Sequence, residues 1–461
     1  MRRTLAIAKL TFHEGIRLRI VLAFLIVLVL LLLYLPFTLR GDETLAGRLQ
    51  NFLAYSLGAL SFLLSLTTIF FSCATLTTEF RERSLHLLVT KPVTRFEILL
   101  GKWLGVNALN VVIIAVGGAV IFGFAAFIRS LPVEFERDRF KVRDVVWTAR
   151  YAATPVVPAD IGELARREVA EKIRSGALNA AQQAAAEHEQ FEQILNRWRS
   201  VPPGVLAVYE FTNLAPPEQA DTKIQVRYKL RATPSTANEI VRVGWVFCDP
   251  DTKQWLHEPV FAEERAGQTH EFLVTAAPVL AEGRALLGVI NAYPPDMPIT
   301  LLFEGPDSLQ LLYKVGSFEG NYVRALLIIG LRLALLSAVG VCFSVFVSFP
   351  VACLCVSAFY LICLGLPFWL EAIGEGQQFL SAKDDPYGRL GPAVRAVLVR
   401  LLLAAFPNFS KYDGVGPLID GEHIGAPLLL WTVVRTLGYG LVLVLVGWLV
   451  FRRREVAEIT V

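Results

Sequence analysis

Residues 78–105 read TEFRERSLHLLVTKPVTRFEILLGKWLG and lie between two long apolar runs. A segment in that position forms a loop at one face of a membrane. Its apolar residues nevertheless recur at helical spacing, and its charges have both signs. A simple connector needs neither property. The stretch therefore predicts a short amphipathic helix, held at the membrane surface by two flanking spans and shaped to be bound by another protein.

The composition of the whole chain supports a membrane location. Of its 461 residues, 54% are hydrophobic and only 18% are charged, which is too apolar for an ordinary soluble protein. The apolar residues cluster in windows with almost no charge, and about 20 such residues cross the hydrocarbon core of a bilayer. We therefore expect an integral membrane protein.

Six windows are predicted to span the membrane, and a short amphipathic surface helix at 5–18 precedes the first of them. The basic start followed by an apolar run is typical of a signal peptide, but no small-residue cleavage site follows, which indicates an uncleaved anchor. The fifth span is interrupted by Gly365-Leu366-Pro367, and the one-sided apolar stretch at 393–406 is too short to span, so it is interpreted as an outer re-entrant or interfacial helix. The six predicted spans are 19–39, 51–77, 103–128, 322–347, 351–370 and 427–451.

Basic residues indicate the orientation of these spans. They precede the first span, crowd the 78–105 loop and follow the last span at Arg452-Arg453-Arg454, and such residues concentrate on the cytoplasmic side. We therefore expect a multi-pass protein of the cell (inner) membrane with both termini in the cytoplasm and residues 129–321 outside. No basic patch is interleaved with aromatic residues, so nucleic acid is not an expected partner.

The insertion at 129–321 has the length of a domain. Asp160 and Glu163 have capping-box spacing at the start of a helical part, 160–200. A period-two pattern then begins, as in Ile224, Val226, Tyr228 and Leu230, and short strands separated by turns favour a β-sandwich over 205–316, jelly-roll or immunoglobulin-like. The predicted strands are 224–230, 241–247, 271–275, 286–291, 299–303 and 309–315.

These patterns define the expected fold class. It is an α-helical integral membrane protein with six transmembrane helices and an inserted α+β extracytoplasmic domain that contains a β-sandwich. Its parts are 1–128, 129–321 and 322–461. Cys248 is the lone cysteine of the insertion, and the pairs His257-Glu258 and His270-Glu271 lack a metal-binding spacing, so neither a metal site nor a catalytic site is predicted.

The 78–105 stretch resembles the membrane subunits of ABC-2-type transporters, in particular permeases associated with copper-enzyme maturation and gliding. Weaker matches are the N-terminal surface helix and first span, Pro407-Asn408-Phe409, and the ending from Phe451 to Glu455. Together they cover about half of the chain and not the outer domain. In the stretch itself the matching residues are Glu79, Arg81, Glu82, Arg83, Leu85, Leu88, Lys91-Pro92-Val93, Arg95, Leu99-Leu100 and Gly101-Lys102.

The resemblance implies that this stretch is a coupling helix, which sits in a cleft of a separate ABC ATPase subunit. Its apolar ridge would fill the cleft, its charges would pair at the rim, and Pro92 would end the helix. The alternative is an amphipathic helix resting on lipid headgroups. The coupling residues implied are Glu79, Arg81, Glu82, Arg83, Leu85, Leu88, Pro92 and Arg95.

A phosphate-binding GxxxxGK[ST] loop is absent from the sequence. The chain is therefore not expected to be an enzyme or to carry a cofactor: ATP and Mg²⁺ would bind to the partner ATPase. Six spans make half of a transporter, which implies a second permease copy or a related permease.

Two arginines within predicted spans, Arg332 and Arg435, are candidates for a translocation path or a dimer interface, because a charge inside a membrane is costly. The alternatives are snorkelling to the surface or pairing with an acid such as Glu371. Gly365 and Pro367 are candidates for a discontinuous helix at the same path, although a local kink is favoured.

The sequence favours a permease that couples ATP hydrolysis to export or extraction of a substrate. The alternative is a non-transporting, membrane-anchored scaffold whose outer β-domain binds a carbohydrate or a protein. A membrane-bound hydrolase would need a polar catalytic constellation in the insertion, and none is found in the sequence.

Overall fold

The computed structural model describes most of the chain, and its contacts divide into two compact units. The first is Met1–Ala149 with Gly316–Val461, and the second is Arg150–Val315. The described residues are 2–39, 44–81, 94–132, 138–139, 141–176, 178, 183–214, 223–234, 240–275, 283–379, 406–409 and 413–453.

The first unit begins with four helices: α1 (Arg2–Arg17), α2 (Arg19–Thr38), α3 (Leu45–Arg81) and α4 (Arg95–Arg129). The first two match the predicted surface helix and anchor. The other two are longer than predicted, because both extend into the 78–105 stretch. The interpretation of that whole stretch as a surface loop is therefore wrong at its two ends, and residues 82–93 lie outside the described part of the chain.

Side-chain caps explain where α3 and α4 begin. Thr94 and Glu97 form a capping box: the backbone N–H of Glu97 donates to Thr94 Oγ1 at 3.2 Å, and the N–H of Thr94 donates to Glu97 Oε2 at 2.9 Å. At the start of α3, the N–H groups of Leu45 and Ala46 donate to the carboxylate of Asp138 at 2.6 and 3.1 Å. A cap fixes a helix start more firmly than hydropathy does.

The second unit contains two helices, α5 (Asp160–Arg174) and α6 (Gln183–Trp198), and two antiparallel sheets. A strand occurs at each of the six predicted places. The short β1, β2, β3 and β6 were not predicted. The strands are β1 (Thr148–Ala153), β2 (Ser200–Val201), β3 (Leu206–Phe211), β4 (Lys223–Thr233), β5 (Ile240–Cys248), β6 (Val260–Arg265), β7 (Thr269–Thr275), β8 (Ala285–Asn291), β9 (Thr300–Phe303) and β10 (Leu309–Ser317).

The long β4 organises the larger sheet, whose order is β1-β10-β4-β9-β2 with β7 also paired to β4. Its residue Val226 lies opposite Leu311 of β10 and Phe272 of β7. The smaller sheet has the order β3-β8-β5-β6. Both sheets bury apolar side chains in one core, where Val226 and Leu230 of β4 meet Trp245 of β5.

The chain returns to the first unit with α7 (Phe318–Phe343), α8 (Phe349–Phe379), the five-residue α9 (Val415–Ile419) and α10 (Ala426–Arg453). Of the described helices, α2, α3, α4, α7, α8 and α10 are long and apolar enough to cross a bilayer. The helix predicted at 393–406 lies outside the described residues except for Phe406.

The predicted interruption of the fifth span is wrong, because α8 continues through Pro367 to Phe379. Proline has no N–H to donate to the carbonyl four residues earlier, here that of Cys363. The N–H of Phe409 donates to that carbonyl instead, at 3.4 Å. The external donor satisfies the group that the proline leaves without its helical partner, so the helix does not need to break there.

Candidate functional site

The predicted coupling residues divide into those that the structure describes and those that it does not. Glu79 and Arg81 lie in the last turn of α3, and Arg95 is the first residue of α4. The other five are in the segment between these helices, outside the described residues: Glu82, Arg83, Leu85, Leu88 and Pro92. We call residues 82–93 the coupling segment, after the role that the resemblance implies, and the structure shows how the residues on either side of it are held.

Lys102 of α4 is the centre of a buried ion cluster at these ends. Its side chain is 0% exposed, and its Nζ lies 2.5 Å from Glu79 Oε1 and 3.3 Å from Glu14 Oε2. The three residues belong to α4, α3 and α1 respectively. An ammonium group removed from water needs charged partners to remain ionised. The two carboxylates supply them, and the cluster joins three helices.

The same face of α4 carries two glycines against which α1 packs. A Cβ added at Gly101 would lie 2.7 Å from Cβ of Ile7, and one added at Gly105 would lie 2.6 Å from the carbonyl oxygen of Ala8. Both distances are shorter than any real Cβ contact, so a side chain at either glycine would clash with α1. The backbones of α1 and α4 are therefore in close contact at these two positions.

Arg95 connects the start of α4 to the end of α10. Its guanidinium donates to the backbone carbonyls of Phe451 and Arg452, the latter at 3.2 Å, and it lies 5.3 Å from the centroid of the Phe451 ring. Phe451 itself is fully buried. A cation at these carbonyls neutralises the negative end of the helix dipole. Arg95 therefore attaches the last described turn of α10 to the start of α4.

The second predicted site contains Arg332, near the middle of α7. Its Nη2 donates to the carbonyl of Phe409 at 3.1 Å and lies 3.5 Å from Asp413 Oδ1, and its guanidinium stacks 5.3 Å from the Phe409 ring centroid. The acid beside it is thus Asp413, whereas the sequence suggested Glu371. These contacts hold Phe409 and Asp413 against α7.

Arg332 and Arg435 line one pocket of the helix unit together with Phe409, Thr432 and Tyr439. The guanidinium of Arg435 lies 5.8 Å from the ring centroid of Tyr439. The pocket volume is about 30 Å³, enough for roughly two water molecules. Gly365 and Pro367 do not line this pocket. The structure thus brings the two arginines to one pocket, and the space between them in one chain is small.

In the second unit, the histidines singled out from the sequence bind backbone groups. His257 Nε2 accepts the N–H of Phe247 at 3.2 Å. The ring of His270 lies between Glu264, 3.3 Å away, and the carbonyl of Arg265, 2.8 Å away. Burial raises the pKa of the Cys248 thiol, which disfavours a thiolate nucleophile.

Together the fold and the clusters define a multi-pass membrane protein with a separate sheet-rich unit. Residues 5–137 match the model of a family described as ABC-2 family transporter protein. This match supports an ABC-2-type permease. It includes α1 to α4, and so the Lys102 cluster and the whole coupling segment, but neither Arg332 nor Arg435. No curated protein matches the chain.

Sequence reasoning identified Glu79 and placed Lys102 in a motif, but it missed the pairing of Lys102 with Glu79 and Glu14. Glu14 and Lys102 are 88 residues apart, and no periodicity connects them. One signal was present: Lys102 lies inside the apolar helical pattern Ile98-Leu99-Leu100 to Val106. A lysine at such a position requires a buried acid.

Proposed function

We propose that the chain is the transmembrane permease subunit of an ABC-2-type transporter. It would couple ATP hydrolysis by a separate ATPase subunit to the export or extraction of a substrate. The observation that carries this proposal is the ABC-2 family match over residues 5–137 in a chain with six span-length helices. ATP and Mg²⁺ would bind to the ATPase. The resemblance to copper-enzyme-maturation and gliding permeases is the narrower form of the proposal.

The contact with the ATPase would be made by the coupling segment. Leu85 and Leu88 would enter an apolar cleft, and Arg81, Glu82 and Arg83 would pair with charges at its rim. The attachments at both ends of the segment, through Glu79 and Arg95, support this role because a force applied between them reaches several helices at once.

The orientation and assembly are parts of the same proposal. The termini would be cytoplasmic, and the 129–321 insertion would be extracytoplasmic, where it would receive cargo or bind a partner. The two sheets around one core support a β-sandwich. A second permease copy would complete the transporter, with Arg332 and Arg435 at the translocation path or dimer interface.

A second candidate function is a membrane-anchored scaffold whose sheet unit binds a carbohydrate or a protein. A pocket of about 110 Å³ in that unit favours it, since the aromatic residues Trp198, Tyr209 and Phe303 line the pocket together with Arg199. Aromatic walls with a few polar groups are typical of small-molecule sites.

The deciding experiment is purification of the tagged full-length chain from membranes of its own source. We expect an ABC ATPase to co-purify, and Leu88→Asp and Arg83→Glu to abolish this. The matched control is Leu164→Asp, at an exposed position of α5 in the second unit. ATPase binding that persists in both coupling variants would show that the segment is not the contact. Absence of an ATPase from the wild-type preparation would favour the scaffold.

The role of the insertion needs its own experiment. Deletion of 150–315, the second unit, with a short linker in its place, is expected to leave ATPase binding intact and to abolish transport. Transport that continues without the insertion would exclude a role in receiving cargo.

A further inference from the structure

Lys102 holds three helices together by charge, and only two of them adjoin the coupling segment. α3 ends and α4 begins at that segment, so both are displaced directly when it moves. α1 does not adjoin it, because α2 and α3 lie between them in the sequence. Glu14 is nevertheless the second carboxylate of the buried cluster, 3.3 Å from Lys102 Nζ. The cluster therefore adds α1 to the pair of helices beside the segment.

The other contacts between α1 and α4 are of a different kind. Ile7 and Ala8 lie against Gly101 and Gly105, and such close packing by small residues is apolar. It permits sliding of one helix along another more readily than an ion pair does, because dispersion contacts are individually weak and nondirectional. A buried ion pair fixes the position of both partners.

We propose that Lys102 is a positioning residue that makes α1 part of the coupling unit, so that movement of the coupling segment by the ATPase displaces α1 together with α3 and α4. This inference rests on the proposed function. It gives α1 a role besides lying at the membrane surface. When the coupling segment moves, the contact between Lys102 and Glu14 transmits the displacement to α1, which does not adjoin that segment in the sequence.

The first experiment follows α1 by hydrogen exchange in the full-length chain with its co-purified ATPase in lipid nanodiscs. In the wild type, ATP with Mg²⁺ is expected to change the exchange of α1 amides and of the first turn of α4 together. In Lys102→Met, the ATPase should still bind and α4 should still respond, but the response of α1 should be lost. An α1 response equal to that of the wild type would overturn the inference.

Two further variants separate positioning from folding. The triple variant Glu14→Gln, Glu79→Gln, Lys102→Met removes all three charges of the cluster, and such replacements of buried ion clusters are commonly tolerated. It should fold and should also lose the α1 response. The exchanged pair Lys102→Glu with Glu79→Lys keeps an ammonium–carboxylate contact between α3 and α4 but places a carboxylate opposite Glu14, so the α1 response should stay lost there if α1 is held by a charge-based tie. A triple variant that folds and retains the response overturns it.

The chain alone provides a test that does not depend on the ATPase. Without nucleotide or partner, Lys102→Met is expected to raise the exchange of α1 amides by about tenfold, since α1 opens more easily when the tie is lost. The matched control is Lys9→Met, which removes an exposed charge from the same helix. Exchange within about twofold of the wild type in Lys102→Met would overturn the inference. If the wild type binds no ATPase, the proposed function fails, and this measurement still shows whether Lys102 holds α1.

Discussion

The two ends of the helix unit are held together by different chemistry, and α4 reaches from one to the other. At its start, Lys102 is enclosed by two carboxylates, and Arg95 reaches the end of α10. At its other end, Trp147 stacks on Phe318 at 4.2 Å, and the side chains nearby mainly bind backbone groups. We refer to them as the Lys102 end and the Trp147 end.

Many hydrogen bonds of the Trp147 end join one side chain to a backbone group. The amide of Asn321 donates to the carbonyl of Glu422 at 2.7 Å and accepts the N–H of Ile424 at 2.8 Å. Arg324 donates to the carbonyl of Ile424 at 3.1 Å. Removing one such side chain leaves one or two backbone groups without a partner, and the neighbouring contacts remain.

The Lys102 end and the Trp147 end differ in how strongly each depends on single residues. In the Lys102 cluster two carboxylates share a single ammonium, so removing Lys102 takes away a contact from both of them. The Trp147 end has no equivalent among its described residues, because its contacts are separate. Substitutions should therefore have large effects at the first end and graded effects at the second.

The largest effect is expected for Lys102→Met. It removes the ammonium that contacts both Glu14 and Glu79, and breaking a buried ion pair by removing one partner lowers the free energy of unfolding by about 3–5 kcal/mol. Titration of the full-length chain with dodecyl sulfate in mixed micelles, followed by circular dichroism, measures it. Lys9→Met should change the value by less than about 0.5 kcal/mol. Equal losses in the two variants would remove the contrast between the ends.

Asp138→Ala should give the next largest effect, at the Trp147 end. The carboxylate accepts two N–H groups at the start of α3 and interacts favourably with the positive end of the helix dipole. Its loss is expected to lower the free energy of unfolding by about 1–2 kcal/mol in the same titration. The control is Asp144→Ala, which removes an exposed pairing with Arg143. A larger loss for the control would contradict the capping role.

These first two cases show which parts of the fold follow from sequence. The spans were found because apolar windows of the right length are a local property. Their ends were misplaced where a cap comes from far along the chain: Asp138 lies 93 residues from the N–H of Leu45. Arg332 is a second example. Its position within a span was evident from the sequence, but its pairing with Asp413 was not, because the two residues are 81 positions apart.

The strands of the second unit show the same limit. β4 was predicted because apolar and polar residues alternate along it, and β5 because it contains a nearly continuous apolar run. β1 reads TARYAA and β6 reads VFAEER, and neither has enough β-branched or aromatic residues to indicate a strand. They form because longer strands beside them offer hydrogen-bonding edges, which is a tertiary effect.

A smaller effect is expected for Tyr322→Phe, which removes one neutral hydrogen bond from the Trp147 end. The hydroxyl donates to the carbonyl of Gly118 at 2.7 Å in a buried position. Loss of a bond of this kind lowers the free energy of unfolding by about 0.5–1.5 kcal/mol. Tyr34→Phe, at an exposed position of α2, is the control and should be neutral in the same titration. An effect as large as that of Lys102→Met would show that this end is not held by separate contacts.

The smallest effect is expected at His423 and appears only in acid. Arg324 Nη1 lies 3.0 Å from Nε2 and 3.2 Å from Nδ1 of His423, so the neutral imidazole accepts from the guanidinium. Burial, and then the positive charge of Arg324, lower the pKa of His423 in the folded chain. A lowered pKa means that folding disfavours proton binding. The stability that depends on neutral His423 is complete above its ordinary pKa of about 6.5 and is lost as the pH falls through the lower folded value.

His423→Asn should therefore flatten the acid side of the stability profile and leave the value near neutral pH almost unchanged. The free energy of unfolding of both proteins, measured from about pH 7.5 down to about pH 5, shows the difference. The matched control is His13→Gln, at an exposed position of α1 at the Lys102 end, which should keep the wild-type profile. An acid branch that is unchanged in His423→Asn would contradict the assignment of this loss to His423, and one that is altered only in His13→Gln would place the acid-sensitive group at the Lys102 end.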